Sequence, residues 1–121
     1  MRYAVLLYAD ADLDAGPGAK EWEQSLPQHQ ALGAALAEKG VEFSGGALHA
    51  IGSATSLRRR DGQLVHTDGP FAETKEQLWG YYNVEAPDVD TVIELVGGLW
   101  EVDHGTVEIR PLLPGPEEMA A

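Results

Sequence analysis

The sequence predicts an α+β sandwich, and three observations carry that expectation. Short apolar or aromatic runs of strand length recur along the chain, interrupted by two stretches with an apolar stripe at helical spacing. Their order is strand, long helix, strand, hairpin, strand, helix, strand. Asp61-Gly62, flanked by Thr55 to Arg60 and Gln63 to Thr67, is a strong local signal for a tight hairpin turn. Two helices on one face of such a sheet make a ferredoxin-like sandwich, with the hairpin as an addition. At 121 residues the chain is sized for one domain, assigned to residues 1–113, with a proline-dispersed tail over 114–121.

Tyr3 to Tyr8 is apolar at every position and reads as a strand buried on both faces. Ala9 to Gly18 is rich in aspartate, glycine and proline and reads as a loop. From about Ala19 to Lys39 the spacing predicts a helix whose stripe is Trp22, Leu26, His29, Gly33 and Leu36. Pro27 lies opposite that stripe and predicts a kink or a restart, with Ser25 and Gln28 at capping-box spacing. Gly40 closes the helix. Val41 to Ala50 reads as a second strand, bent at Gly45-Gly46.

After the hairpin, the nine residues Asp68 to Glu76 combine turn formers with four charged side chains and read as a connection. Leu78 to Ala86 follows as a strand, with Trp79 and Tyr81 expected on one face and Tyr82 and Val84 on the other. Asp88 is an N-cap for a helix from Val89 to Val96, with Val89, Val92, Ile93 and Val96 as its core face. Gly97-Gly98 stops it, and Gly105 to Arg110 is the last strand. The first and penultimate strands are apolar or aromatic on both faces, yet two helices cover only one. A second copy packed sheet against sheet would cover the other, which predicts a homodimer.

Composition narrows the function. With 8 basic residues against 20 acidic ones, a net charge of -12 argues against nucleic-acid binding and against anionic membrane surfaces. The basic run Arg58-Arg59-Arg60 sits at a hairpin tip, where a solvated cluster is expected. The chain has no cysteine, which removes disulfides, thiolate nucleophiles and cysteine-held metals. The opening apolar run is too short for a signal segment or a membrane span, so a cytoplasmic protein is expected. There is no phosphate-cradling glycine loop, no G-x-S-x-G elbow and no dinucleotide fingerprint, so no cofactor is expected.

Asp68-Gly69-Pro70-Phe71 followed by Ala72-Glu73-Thr74-Lys75-Glu76 resembles the signature of the YCII-related family, in the branch named for its DGPF motif. The opening Arg2 to Tyr8, the stretch Leu78 to Asp88 and the ending His104 to Pro111 are similar to that family too. The resemblance implies a dimeric α+β barrel built on a ferredoxin-like subunit. It implies chemistry on small molecules from a His–Asp pair with the histidine on the first helix, where His29 falls. It also implies, for some members, a link to sigma factors, so a sigma-factor partner enters as an expectation. Two features depart from the family pattern: Trp79 stands where a small residue is usual, and Leu99 to Asp103 replaces a more alanine-rich stretch.

His29 is the candidate catalytic residue, because a histidine on an apolar stripe is either hydrogen-bonded into the core or tuned for proton transfer. Asp68 is its expected partner, chiefly on the resemblance, since turn chemistry alone explains Asp-Gly. Lys75 is the candidate to hold an anionic substrate group, and Tyr81, Tyr82 and His104 are further substrate-binding candidates. The four histidines lack the close spacing of a metal site, so no metal is expected. The expected function is a cofactor-independent acid–base enzyme, an isomerase or lyase, on a small organic ligand. The alternative is a small-molecule-binding or protein-interaction module linked to sigma-factor regulation.

Overall fold

A computed structural model describes residues 1–13 and 16–117. Residues 14 and 15 of the expected first loop, and 118–121 of the expected tail, lie outside the described part. Strand β1 (Arg2–Asp10) buries Tyr3, Val5, Leu7 and Ala9 on one side. Its alternate residues Ala4, Leu6 and Tyr8 are only half-buried, so one face rather than two is covered within the chain.

Helix α1 (Lys20–Glu38) follows, then β2 (Phe43–Ala47), the hairpin strands β3 (Thr55–Arg60) and β4 (Gln63–Asp68), and the long strand β5 (Glu76–Glu85). Helices α2 (Val89–Val96) and α3 (Trp100–His104) precede the last strand, β6 (Gly105–Pro111). The main sheet has the order β2-β5-β1-β6 with every pairing antiparallel. Each long connection through a helix therefore skips one strand, which is the ferredoxin-like arrangement expected. The core lies between this sheet and the helices, built from Val5, Leu7, Leu32, Leu36, Val84, Val92, Val96 and Leu99.

The helix ends follow local chemistry. Past α1, Gly40 adopts φ +68° and donates to the Ala37 carbonyl, while Val41 donates to Leu36, a Schellman closure. Asp88 caps α2, its carboxylate accepting from the Thr91 N–H at 2.8 Å and the Thr91 hydroxyl at 2.7 Å. Three expectations are corrected. Helix α1 runs through Pro27 without a restart; Pro27 lies on its exposed side, where the Glu23 carbonyl that loses its amide partner can meet water. Ser25 is no cap: it is buried and donates back to the Trp22 carbonyl. Helix α2 buries Val92 and Val96 but leaves Val89 and Ile93 exposed, because Leu95 and Leu99 complete its apolar side.

Two features of the sheet shape the site. β1 pairs Leu7 with Gly80 but Tyr8 with Leu78, so Trp79 is an extra residue, a β-bulge. Next to it, β2 stays regular through Gly45 and Gly46, with no bend. A side chain at Gly45 would collide with the Tyr81 carbonyl, so glycine there permits β2 to lie close against β5.

The hairpin stands apart as its own two-stranded sheet. Asp61 and Gly62 both take positive φ, 51° and 78°, as a type I′ turn requires. Its base is the DGPF stretch: Gly69, at φ +97°, donates to the Ala54 carbonyl at 2.6 Å and accepts from the Ser56 hydroxyl at 2.8 Å. Phe71 of this stretch is 79% exposed and anchors nothing in the core. The turn closes through backbone and Ser56 contacts without needing the ring.

Candidate functional site

A cavity of about 270 Å³ opens between α1 and the edge formed by β2 and β5. Its wall is apolar and aromatic: Trp22 and Leu26 from α1, Phe43 from β2, Leu48 just beyond it, and Trp79 from β5. The polar exception is a cluster of His29, Tyr82 and Glu101, each of which also lines the cavity.

His29 projects from the apolar stripe of α1 and is bonded through both ring nitrogens. Nδ1 lies 2.6 Å from the Tyr82 hydroxyl, and Nε2 lies 2.9 Å and 3.0 Å from the two oxygens of Glu101. The imidazole and the Tyr82 ring are nearly parallel, with centroids 5.7 Å apart. Glu101 also accepts from the Trp79 indole N–H at 3.0 Å. This carboxylate is only 2% exposed, and its partners come from α1 and β5 as well as its own short helix α3.

Proton positions follow from the partners. Burial by itself would raise the Glu101 carboxyl. The hydrogen bond and charge of His29, a backbone N–H and the Trp79 N–H outweigh it and hold the group below its ordinary 4.5. Glu101 is therefore an ionised acceptor near neutral pH, and His29 Nε2 carries the hydrogen that faces it. In the neutral ring Nδ1 is then the acceptor, and Tyr82 donates to it. Burial, and then the Glu101 charge, push the Tyr82 phenol from 10.0 to about 12, so it keeps its proton as a donor. The result is a carboxylate–imidazole–hydroxyl chain, the arrangement in which a hydroxyl is activated by a base that a third group orients.

The sheet irregularity explains why this chain can assemble. Regular alternation would put Trp79 and Tyr82 on opposite faces, as the sequence suggests. The bulge shifts the phase, so Trp79 within it and Tyr82 beyond it both face the helices and both reach the His29–Glu101 pair. Behind Glu101, Trp79 stacks on Trp100 at 5.4 Å, and Trp100 stacks on His104 at 4.2 Å. The Trp100 indole nitrogen is buried with no hydrogen-bond partner among the described residues, so this wall excludes water even where a polar atom is left unpaired.

Of the residues singled out from sequence, His29 and Tyr82 come together at the cavity, and Tyr81 borders it from a position opposite Leu6, on the sheet face turned away from the helices. Asp68 does not join His29, which corrects the expected pairing. Asp68 is exposed at the end of β4, opposite Thr55, and both nitrogens of His29 are already taken by Tyr82 and Glu101. Lys75 is exposed in the loop before β5, tied only by its carbonyl, which accepts from Ala11 at 2.7 Å, and it does not line the cavity. His104 also stays outside, bonded to the Trp100 carbonyl at 2.9 Å. The residue that sequence reasoning missed is Glu101. A signal was available: it is a carboxylate inside the apolar run Leu99-Trp100-Glu101-Val102, and an acid in such a run is buried only when paired.

Fold and cavity together define a ferredoxin-like α+β protein with a buried acid–base cluster at the junction of helix and sheet. The chain belongs to the YCII-related family: the profile of the YCII-related domain matches residues 1–115. It is similar to an uncharacterised protein of Rhizobium meliloti (strain 1021), 32% identical over 114 residues that cover 93% of this chain and 92% of that relative. Among the described residues, no helix is long and apolar enough to cross a membrane.

The ionised state of Glu101 makes a pH prediction. Its folded value lies below 4.5, so the stabilisation is fully present above that pH and is lost as pH falls through the lower folded value. Glu101→Gln should destabilise the protein near neutral pH by about 1–3 kcal/mol. In urea denaturation, wild type should lose stability more steeply than Glu101→Gln below pH 4.5, and the two should converge in acid. Parallel curves would show that Glu101 is not an ionised partner.

Proposed function

We propose that this chain is a cofactor-independent acid–base enzyme, of isomerase or lyase type, that acts on a small organic substrate in the cavity beside α1. The observation that carries the reading is the Glu101–His29–Tyr82 chain ending at an apolar cavity large enough for a ligand. As a substrate proton moves to the Tyr82 oxygen, the Tyr82 proton passes to His29 Nδ1. The imidazolium that forms lies against the Glu101 carboxylate, so the pair goes from one negative charge to none and no uncompensated positive charge is left in a water-poor site. Returning the proton to another atom of the substrate is an isomerisation; expelling a leaving group with the freed electron pair is an elimination. Neither needs a cofactor. The Asp68-Gly69-Pro70-Phe71 turn supports membership of the DGPF branch, although it contributes no side chain to this cavity in one chain.

The working form in this proposal is a homodimer. Leu6, Tyr8, Leu78 and Tyr81 share the sheet face turned away from the helices, and that face has no cover among the described residues. The hairpin is a second reason. Leu57 and Leu64 share one of its faces at 62% and 61% exposure, and an isolated two-stranded hairpin is marginal in water. Light scattering at micromolar concentration should give twice the chain mass, and Leu6→Glu on the open face should halve it. A monomeric wild type would contradict the dimer.

Turnover can be sought without knowing the substrate. In D₂O, proton NMR of a compound library should reveal at least one molecule whose carbon-bound hydrogens exchange or are lost in the presence of the protein. Tyr82→Phe and His29→Asn should slow that reaction by on the order of 10²- to 10⁴-fold. A compound that binds the cavity of wild type while no library member exchanges a hydrogen would favour a binding module over an enzyme.

A further inference from the structure

We infer that the cavity selects uncharged ligands with a flat apolar body and a hydrogen-bond donor, and rejects carboxylates and phosphates. The inference rests on the reading of this cavity as the functional site, and it runs against the expectation that a lysine captures an anionic group there.

Charge is the first argument. No lysine or arginine lines the cavity among the described residues. The ionisable groups that do are His29, Tyr81, Tyr82 and Glu101. With His29 neutral the set carries one negative charge, from Glu101; with His29 protonated it carries none. No state of the cluster near neutral pH is positive, and the chain around it has a net charge of -12. An anion entering an apolar pocket sheds much of its hydration and meets no opposite charge.

Hydrogen-bond supply is the second. A buried carboxylate needs several donors, and most of those lining the cavity are already committed. The Trp79 N–H and the His29 Nε2–H go to Glu101, the Tyr82 hydroxyl goes to His29 Nδ1, and the Ser25 hydroxyl goes to the Trp22 carbonyl. The Trp22 indole N–H and the Tyr81 hydroxyl, both neutral, have no partner among the described residues. What the site does offer is an acceptor: the Tyr82 oxygen, whose own hydrogen points at His29. A ligand N–H or O–H can donate there, and it would sit on the path that the proton takes in the proposed reaction.

Shape is the third. Gly45 and Gly46 leave a stretch of β2 without side chains in the wall of the cavity that Trp22 also lines. The volume of about 270 Å³ exceeds the 150 Å³ or so in which an apolar cavity holds benzene. One substituted ring, or a bicyclic ligand of that thickness, fits the space.

Benzamide and benzoate are nearly isosteric and differ in charge and donor capacity, which makes them the decisive pair. Their binding can be followed by quenching of tryptophan fluorescence and by the Trp79 indole N–H resonance in NMR, at pH 7.5. Benzamide should bind about tenfold or more tighter than benzoate. Leu48→Lys, which places a cation at the partly exposed cavity rim, should narrow that gap by raising benzoate affinity. Benzoate binding as tightly as benzamide would overturn the inference, as would failure of both to bind at tens of millimolar or a gap that the added lysine leaves unmoved. Benzamide binding with no proton exchange in any ligand would defeat the enzyme reading and leave the ligand class standing; exchange confined to carboxylates would do the reverse.

Discussion

A carboxylate that is 2% exposed has to be held by something, and the way Glu101 is held organises this protein. Removing such a group from water costs several kcal/mol, so it is tolerated only with close partners. Glu101 has His29 from α1, Trp79 from β5 and a backbone N–H of its own short helix. The three elements that bound the cavity are thereby tied at one point. Loss of that point would leave a histidine and an indole N–H unpaired in an apolar wall, in a protein whose Trp100 nitrogen is already unpaired there.

The same arrangement separates two kinds of surface. On one side of His29 lies a stack of rings, Trp79, Trp100 and His104, that shields Glu101. On the other lies Tyr82, which meets the ligand space. Low local polarity strengthens each hydrogen bond in the chain and makes a stray charge costly. A proton can therefore shift between Tyr82 and His29 against a fixed counter-charge, while an anionic ligand finds no welcome. Both consequences come from a buried negative charge with no lysine or arginine beside it among the described residues.

Much of the fold is legible in the sequence because local signals agree with the tertiary result. Asp61-Gly62 makes the turn its residue types demand, Asp88 caps, and Gly40 closes the long helix. His29 is legible for the same reason, as a polar residue on an otherwise apolar stripe. Its partner is not, because Glu101 lies 72 residues away on a helix of five residues, too short to show a period. Asp68 attracts notice through its motif, yet Gly69 and the hairpin base account for that turn without any contact to the helix. The bulge at Trp79 is equally hidden. It reverses the facing of half a strand, and its only local trace is Gly80, whose missing side chain would crowd Leu7 and the Gly46 carbonyl.

The central claim is the direction of the chain from Tyr82 through His29 to Glu101, and the ring nitrogens of His29 report it directly. Nitrogen-15 NMR of the imidazole should show the neutral ring protonated at Nε2, with that hydrogen protected from solvent exchange by Glu101, and Nδ1 as a hydrogen-bond acceptor. In Tyr82→Phe the Nδ1 signal should move towards that of a free acceptor while the Nε2–H persists. A ring that carries its hydrogen on Nδ1, or that interconverts freely between tautomers, would contradict the account.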